Sequence, residues 1–305
     1  MRVLIAVSIS STLVVPFSVD SRAHFDSEEG QLRFNRVARD LSMGGTRQYF
    51  TQQAPVLETS FCVSHRNRSC SKEGNSSSLW SIPYVSLSFP IGSSIGGFRR
   101  HCVRDYYCES TTSSGAHFSS ELLWSNVIWW QHRLTDRIWL NWETGILAGE
   151  IVNVSGSPPH LFLREDRVSG GVVSGSFAVS RGSSEIYGGA RHYGIDRYSP
   201  LVWIGLRKEI SADRRGRVEL VYETARSSCS EDSDFPEFHF GMEEKVSEAV
   251  WVRYGFAVVQ APTLFCLTLG CGVSREMLSL DTAVASYLLE NENALQLMIG
   301  ISTRL

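Results

Sequence analysis

Three arginines recur on one face of alternating stretches. Arg207 shares its side with Glu209, Arg217 with Glu219 and Glu223, and Arg253 with Trp251 and Gly255. Residues two apart lie on the same side of a strand. The opposite sides read Val202, Ile204, Leu206; Val218, Leu220, Tyr222, Thr224; and Val250, Val252, Tyr254, Phe256, Val258. Charges of both signs interleaved with glycine suit a narrow polar interior in which guanidinium groups pair with carboxylates. The same cations would serve as anchors for the carboxylate of a bound amphiphile in an otherwise apolar groove. Arg207, Arg217 and Arg253 are therefore the candidate ligand-binding residues.

Catalytic chemistry finds no comparable support. Glu219 and Glu223 share a face but lie about 13 Å apart along one strand, too far for either common glycosidase geometry. The sequence has no HExxH and no CxxC pair, and its 8 histidines fall at no ligand spacing, so no catalytic residue, metal or cofactor is expected. The acidic stretch Arg226 to Lys245 carries Glu231, Asp232, Asp234, Glu243 and Glu244, yet matches no calcium cage and reads as an external loop. Of the 7 cysteines, Cys62 with Cys70 and Cys102 with Cys108 each bracket a short segment that a disulfide could close. Cys266 and Cys271 fall on opposite faces of one apolar strand and read as isolated thiols.

Stepping along the chain, short alternating runs broken by polar turns recur from Tyr84 onward, with no sustained 3.6-residue apolar stripe. The fold class is all-β. Val85 to Ile91, Ile138 to Ala148, Val202 to Glu209, Arg217 to Thr224, Val250 to Val258, Phe265 to Val273 and Leu295 to Leu305 are strands. The clearest is the last, with Leu295, Leu297, Ile299, Ile301, Thr303 and Leu305 on one face and Gln296, Met298, Gly300, Ser302 and Arg304 on the other. Runs of ten or more residues match what a tilted strand needs to cross a bilayer, whereas ordinary strands average about 5 to 6. A transmembrane antiparallel barrel of about 12 to 14 strands is expected, with an even count favoured in single-chain bacterial barrels. One strand near Phe235 to Met242 would satisfy that parity, and residues 64 to 78 and 155 to 169 are further loop candidates. Trp129, Trp130, Trp139, Trp142, Tyr84 and Tyr287 lie near strand ends, as interfacial girdles would require.

The whole chain has 305 residues, 43% of them hydrophobic, 20% charged, with a net charge of −3 and a mean hydropathy of −0.09. That balance excludes both a disordered chain and a nucleic-acid footprint. Residues 1–23 read as a secretory signal: Arg2, an apolar stretch from Val3 to Val19, and Ser21-Arg22-Ala23 before the cut. Residues 24–44 would then form an N-terminal segment able to plug a lumen, and 45–305 the barrel.

Residues 36 to 46, Arg-Val-Ala-Arg-Asp-Leu-Ser-Met-Gly-Gly-Thr, resemble the N-terminal A-R-x-L-x-M-G-G signature of the FadL/PorV-like outer-membrane barrels. The strand Ile82-Pro83-Tyr84-Val85-Ser86-Leu87-Ser88-Phe89-Pro90-Ile91-Gly92 is similar to an early strand of that family. The resemblance implies a barrel of the outer membrane that takes up small hydrophobic molecules such as long-chain fatty acids. It also implies outer-membrane lipid as surroundings, and recognition by barrel-assembly machinery through the C-terminal strand ending at Leu305. Two other functions fit the same residues: a non-transporting surface barrel whose external loops bind host or partner molecules, and a secreted soluble carbohydrate-binding β-protein.

Overall fold

A computed structural model describes Leu41, Met43 and residues 56–68, 76–112, 115–157, 160–195, 200–223, 237–260, 263–288 and 292–304. Among these are fourteen strands: β1 (Val56–Arg68), β2 (Ser76–Ile91), β3 (Ser94–Thr112), β4 (Gly115–Arg133), β5 (Ile138–Ser157), β6 (His160–Arg181), β7 (Ser184–Tyr193), β8 (Leu201–Ser211), β9 (Arg214–Glu223), β10 (Glu237–Lys245), β11 (Val250–Gln260), β12 (Thr263–Arg275), β13 (Leu278–Leu288) and β14 (Glu292–Arg304). Each is antiparallel to its neighbours, and β1 closes the ring on β14 in one register from Val56↔Arg304 to Arg68↔Glu292. Closure leaves no free edge along that register, which is how an all-strand structure satisfies its backbone without water.

One rim, the turn end, carries the tight connections. Gly92-Ser93 joins β2 to β3 and Gly182-Ser183 joins β6 to β7, each glycine at φ 61° as a two-residue hairpin requires. Leu134 to Arg137 joins β4 to β5, the turn expected from Leu134-Thr135-Asp136. The strand begun at Val56 and the strand finished at Arg304 meet at this same rim.

Alternation sorts the wall into two faces. Leu140, Trp142, Ile146, Ile204, Leu206, Leu267, Leu269, Leu297 and Ile299 are exposed on the outside, while Glu143, Leu147, Trp203, Cys266, Gln296 and Met298 between them are buried inside. On β5 the outward apolar run lasts from Ile138 to Ala148; the next outward residue, Glu150, meets Arg167 of β6 at 3.9 Å. Strands β3 to β6 are 19, 19, 20 and 22 residues long, against 9 to 13 for β7 to β14. They therefore rise past the rest of the barrel as a four-stranded wing at the far rim. Only Val172–Arg181 of β6 pairs with β7, and only Ser94–His101 of β3 pairs with β2.

Four expectations are corrected here. Of the loop candidate 155 to 169, residues 155–157 and 160–169 are instead strand, the upper part of the β5–β6 wing, paired up to Ser157↔His160; the loop candidate 64 to 78 likewise loses both its ends to β1 and β2. The acidic stretch ends in strand β10, where Glu243 is buried, and residues 224–236 lie outside the described residues. Cys62 and Cys102 are in no disulfide, so neither bridge forms: Cys62 turns into the lumen, where its Sγ accepts from Gln296, and Cys108 lies roughly 20 Å from Cys102 along the same strand. Of the aromatic residues expected at girdles, Trp130 and Trp142 face out, whereas Tyr84, Trp129 and Tyr287 are buried inside and Trp139 packs on the luminal cluster of Ala178, Tyr187, Trp203 and Val221.

The signal segment 1–23 lies outside the described residues. Of the N-terminal segment, Leu41 is buried against Cys62, Ala257, Cys266, Ala283, Ala285, Tyr287 and Met298, inside the barrel. Met43 is buried too, its carbonyl over Gly241 of β10, where a Cβ would collide with it.

Candidate functional site: the barrel lumen

The strand period delivers all three sequence-derived arginines to the lumen, but to different surroundings. Arg253 on β11 is 4% exposed; its Nε donates to Glu243 of β10 at 2.7 Å and its Nη1 to Asp281 of β13 at 2.5 Å. Glu243 also faces Arg215 at 3.9 Å, and Arg215 faces Glu209 at 3.5 Å. A chain of alternating charge thus runs around the inside from β8 to β13. Burial makes Glu243 and Arg253 depend on each other and on Asp281, since removing one leaves an uncompensated charge in a poorly solvated wall, whereas Arg215 and Glu209 reach solvent.

Arg207 on β8 donates from Nη2 to Glu185 of β7 at 2.8 Å, and the Ser180 hydroxyl donates to the same carboxylate at 3.1 Å. With Arg133, Asp136 and Trp139 these three residues line a recess of about 400 Å3 at the turn end. Arg217 on β9 is buried, paired in register with Gly241, the residue under Met43. Arg207 and Arg217 stand opposite each other on β8 and β9, whereas Arg253 lies two strands further on with Glu243 and Asp281, so the three are not gathered at one place. Glu219 is buried on the same luminal face as Arg217, in register with His239, whose Nε2 lies 3.1 Å from Glu237.

A second polar cluster was not singled out by the sequence. Glu143 of β5 is bonded by Arg99 of β3 and, at 2.5 Å, by Arg191 of β7. The Arg99 guanidinium also stands 5.3 Å from the Trp129 ring centroid. Parity in Ser184–Tyr193 places Arg191 and Glu185 inward with Tyr187 and Tyr193, and that parity was the available signal.

Above Glu143 and Arg191, away from the turn end, the lining on β4 to β8 becomes apolar. Leu123, Val127, Leu147, Val172 and Tyr193 form a buried cluster, with Val168, Ile195 and Leu201 packed on it. On β5 Leu147 follows Glu143, and on β7 Tyr193 follows Arg191, so the apolar patch sits directly above these ion pairs. That side of the lumen can take an apolar molecule out of water, while β9 and β10 face it with Glu219, Glu237 and His239. No group of metal-ligating side chains occurs among the described residues.

The sequence matches no family model and no curated protein. Among solved structures the chain is similar to the toluene transporter TbuX of Ralstonia pickettii, at 12% identity and a TM-score of 0.70, covering 90% of this chain and 98% of that one. It is also similar to the Pseudomonas putida toluene transporter TodX, at 10% identity and a TM-score of 0.67 over 90% and 99%. A Pseudomonas aeruginosa FadL homologue follows at 8% identity and 0.60 over 81% and 89%. Identities this low speak for the fold alone. As residues 36–46 and 82–92 implied, the chain has the closed, antiparallel, fourteen-stranded barrel fold of the FadL-like channels.

Proposed function

We propose that this protein is an outer-membrane barrel that admits small hydrophobic molecules, with uncharged ones preferred. The observation that carries the reading is the apolar patch of Leu123, Val127, Leu147, Val172 and Tyr193 on the inner side of β4 to β7, in a wall whose outer face is also apolar. Outward apolar surface on this scale marks contact with lipid or another protein, and an apolar patch inside a barrel has value as a place for apolar cargo. Luminal Arg99, Arg191, Arg207 and Arg253 each face a carboxylate within the wall, which favours neutral cargo. The toluene transporters sharing the fold are in keeping with that preference.

Long-chain fatty acids are the second reading. It is favoured by Arg207, whose side chain is 31% exposed beside the recess at the turn end and so open to a carboxylate. In both readings Arg217 and Arg253 support the lumen, residues 24–44 plug it, residues 1–23 direct export, and the strand ending at Leu305 is the handle for barrel assembly. No catalytic step is assigned.

The test is uptake into proteoliposomes holding the refolded barrel, with toluene and oleate in separate arms. Toluene entry above that of empty liposomes, reduced by Val172→Arg, is the expected result. Entry of neither compound, in a barrel whose gel mobility still shifts on boiling, overturns the transport reading. Oleate entry that is lost in Arg207→Gln moves the assignment to fatty acids.

A further inference from the structure

On the outer wall, Arg100 of β3 interrupts the apolar surface. Its cross-strand partners are Val85 on β2 and Asn126 on β4, and Phe98 precedes it on the same outward face. Its guanidinium carbon stands 4.7 Å from the ring centroid of Trp124, also outward. Among the described residues no carboxylate forms an ion pair with it, unlike luminal Arg99, Arg191, Arg207 and Arg253. A lipid-facing arginine is costly at the bilayer midplane and nearly free at its edge, so its height decides what it does.

Register and tilt together bound that height. Arg100 pairs with Asn126, which pairs with Ile146 of β5, two outward positions short of Glu150, where outward charge begins on that strand. Strands tilted about 35–45° and spaced about 4.8 Å apart place residues two strands apart along one row roughly 6 Å apart in height. The β2–β3 ladder ends at the adjoining pair Tyr84↔His101. Both strands bulge there: β2 slips against β1 around Ile82-Pro83, and β3 slips against β4 at Val103. Pro83 has no N–H to extend the ladder. Beyond His101, the β3 edge facing β2 therefore carries backbone groups without a β2 partner, which hydrocarbon does not tolerate but a headgroup layer does. Cation, indole, amide and open backbone edge coincide at the upper margin of the apolar belt.

We propose that Arg100, seated on Trp124 beside Asn126 and the open β3 edge, binds the phosphate of an anionic lipid in the leaflet away from the turn end. A guanidinium grips phosphate oxygens with two parallel N–H bonds, the indole belongs at the interface, and Phe98, Val85 and Ile128 offer acyl chains an apolar wall. This inference rests on reading the outer wall as membrane-facing.

The test is native mass spectrometry of the refolded barrel in neutral detergent, titrated with phosphatidylglycerol. One tightly retained lipid is expected. Arg100→Gln should weaken it about fivefold to tenfold, as loss of one basic group at a membrane surface predicts, with Trp124→Leu weaker too and Arg100→Lys closest to the parent. Inorganic phosphate at equal concentration should not displace the lipid. Equal retention by Arg100→Gln, with its boiling-dependent mobility shift intact, overturns the site, and displacement by inorganic phosphate makes it a site for the free anion instead. A chain that stays folded and soluble without detergent rejects the membrane reading itself, a distinguishable outcome.

Discussion

Gly272 of β12 leaves open the space that the Arg253 guanidinium fills: a Cβ built at Gly272 would lie 2.5 Å from Arg253 Nη1 and would also crowd the Asp281 carboxylate. Arg253 lies one strand away, and its cross-strand partner is Gly270, so the side chain leans over the neighbouring inward glycine to reach β13. The glycine on the charged face is thus part of the ion-pair chain.

Gly272→Val should therefore destabilise the barrel more than ordinary overpacking does. Forcing a side chain into a filled site costs about 1–3 kcal/mol, and parting a buried pair about 3–5 kcal/mol. Urea unfolding in detergent, followed by gel mobility, should show a loss near the upper figure. A loss equal to that of Gly171→Val, where nothing stands within 4 Å of the added carbon, would mean that Arg253 simply moves aside.

Glu143 is the shared partner of Arg99 and Arg191, and its side chain is 0% exposed. Glu143→Gln leaves two guanidinium groups facing one neutral amide, with an expected cost of about 3–5 kcal/mol. Adding Arg191→Met should restore part of it, because the second change removes a charge that the first left unpaired. The same urea titration reads both variants; a double variant no more stable than Glu143→Gln would show that the two changes are independent.

Strand parity made the wall legible where one face was apolar and the other polar. The runs at Val202, Val250, Phe265 and Leu295 read correctly, and so did the inward placement of Arg207, Arg217 and Arg253. Parity failed in β4, where Leu122-Leu123-Trp124 and Val127-Ile128-Trp129-Trp130 are apolar on both faces: one set meets the outside and the other packs the luminal patch. It failed again at the β5–β6 tip, where Phe162, Leu163 and Arg164 are all exposed and no buried face imposes a period. Partner acids were hidden for another reason. Glu185 meets Arg207 through the β7–β8 register and Asp281 meets Arg253 across the skipped strand β12, and neither relation is contained in a local pattern.

Met43 lies over Gly241 and Leu41 packs among residues of the lumen, so the N-terminal segment has a structural hold on β10 to β14. Gly241→Val should displace that hold. If residues 24–44 plug the lumen, single-channel conductance in planar bilayers should rise in Gly241→Val and rise at least as far when residues 24–44 are deleted. Unchanged conductance in both, with the barrel folded, would remove the plug.

Glu276 in the β12–β13 turn holds φ at 47°, where Gly92 and Gly182 hold 61° in the equivalent two-residue turns. A side chain in that region costs roughly 1–2 kcal/mol relative to its preferred conformations, while glycine enters freely but gives up more freedom on folding. The two effects oppose each other, and the strain is the larger. Glu276→Gly should therefore stabilise the folded barrel by about 0.5–1 kcal/mol, and Gly182→Ala should destabilise it by a similar amount, since no neighbour within 4 Å adds a steric term there. Opposite signs for the two variants in one urea series would confirm that backbone conformation governs these turns. If Glu276→Gly instead destabilises, the glutamate side chain supplies a contact at the turn end worth more than its strain.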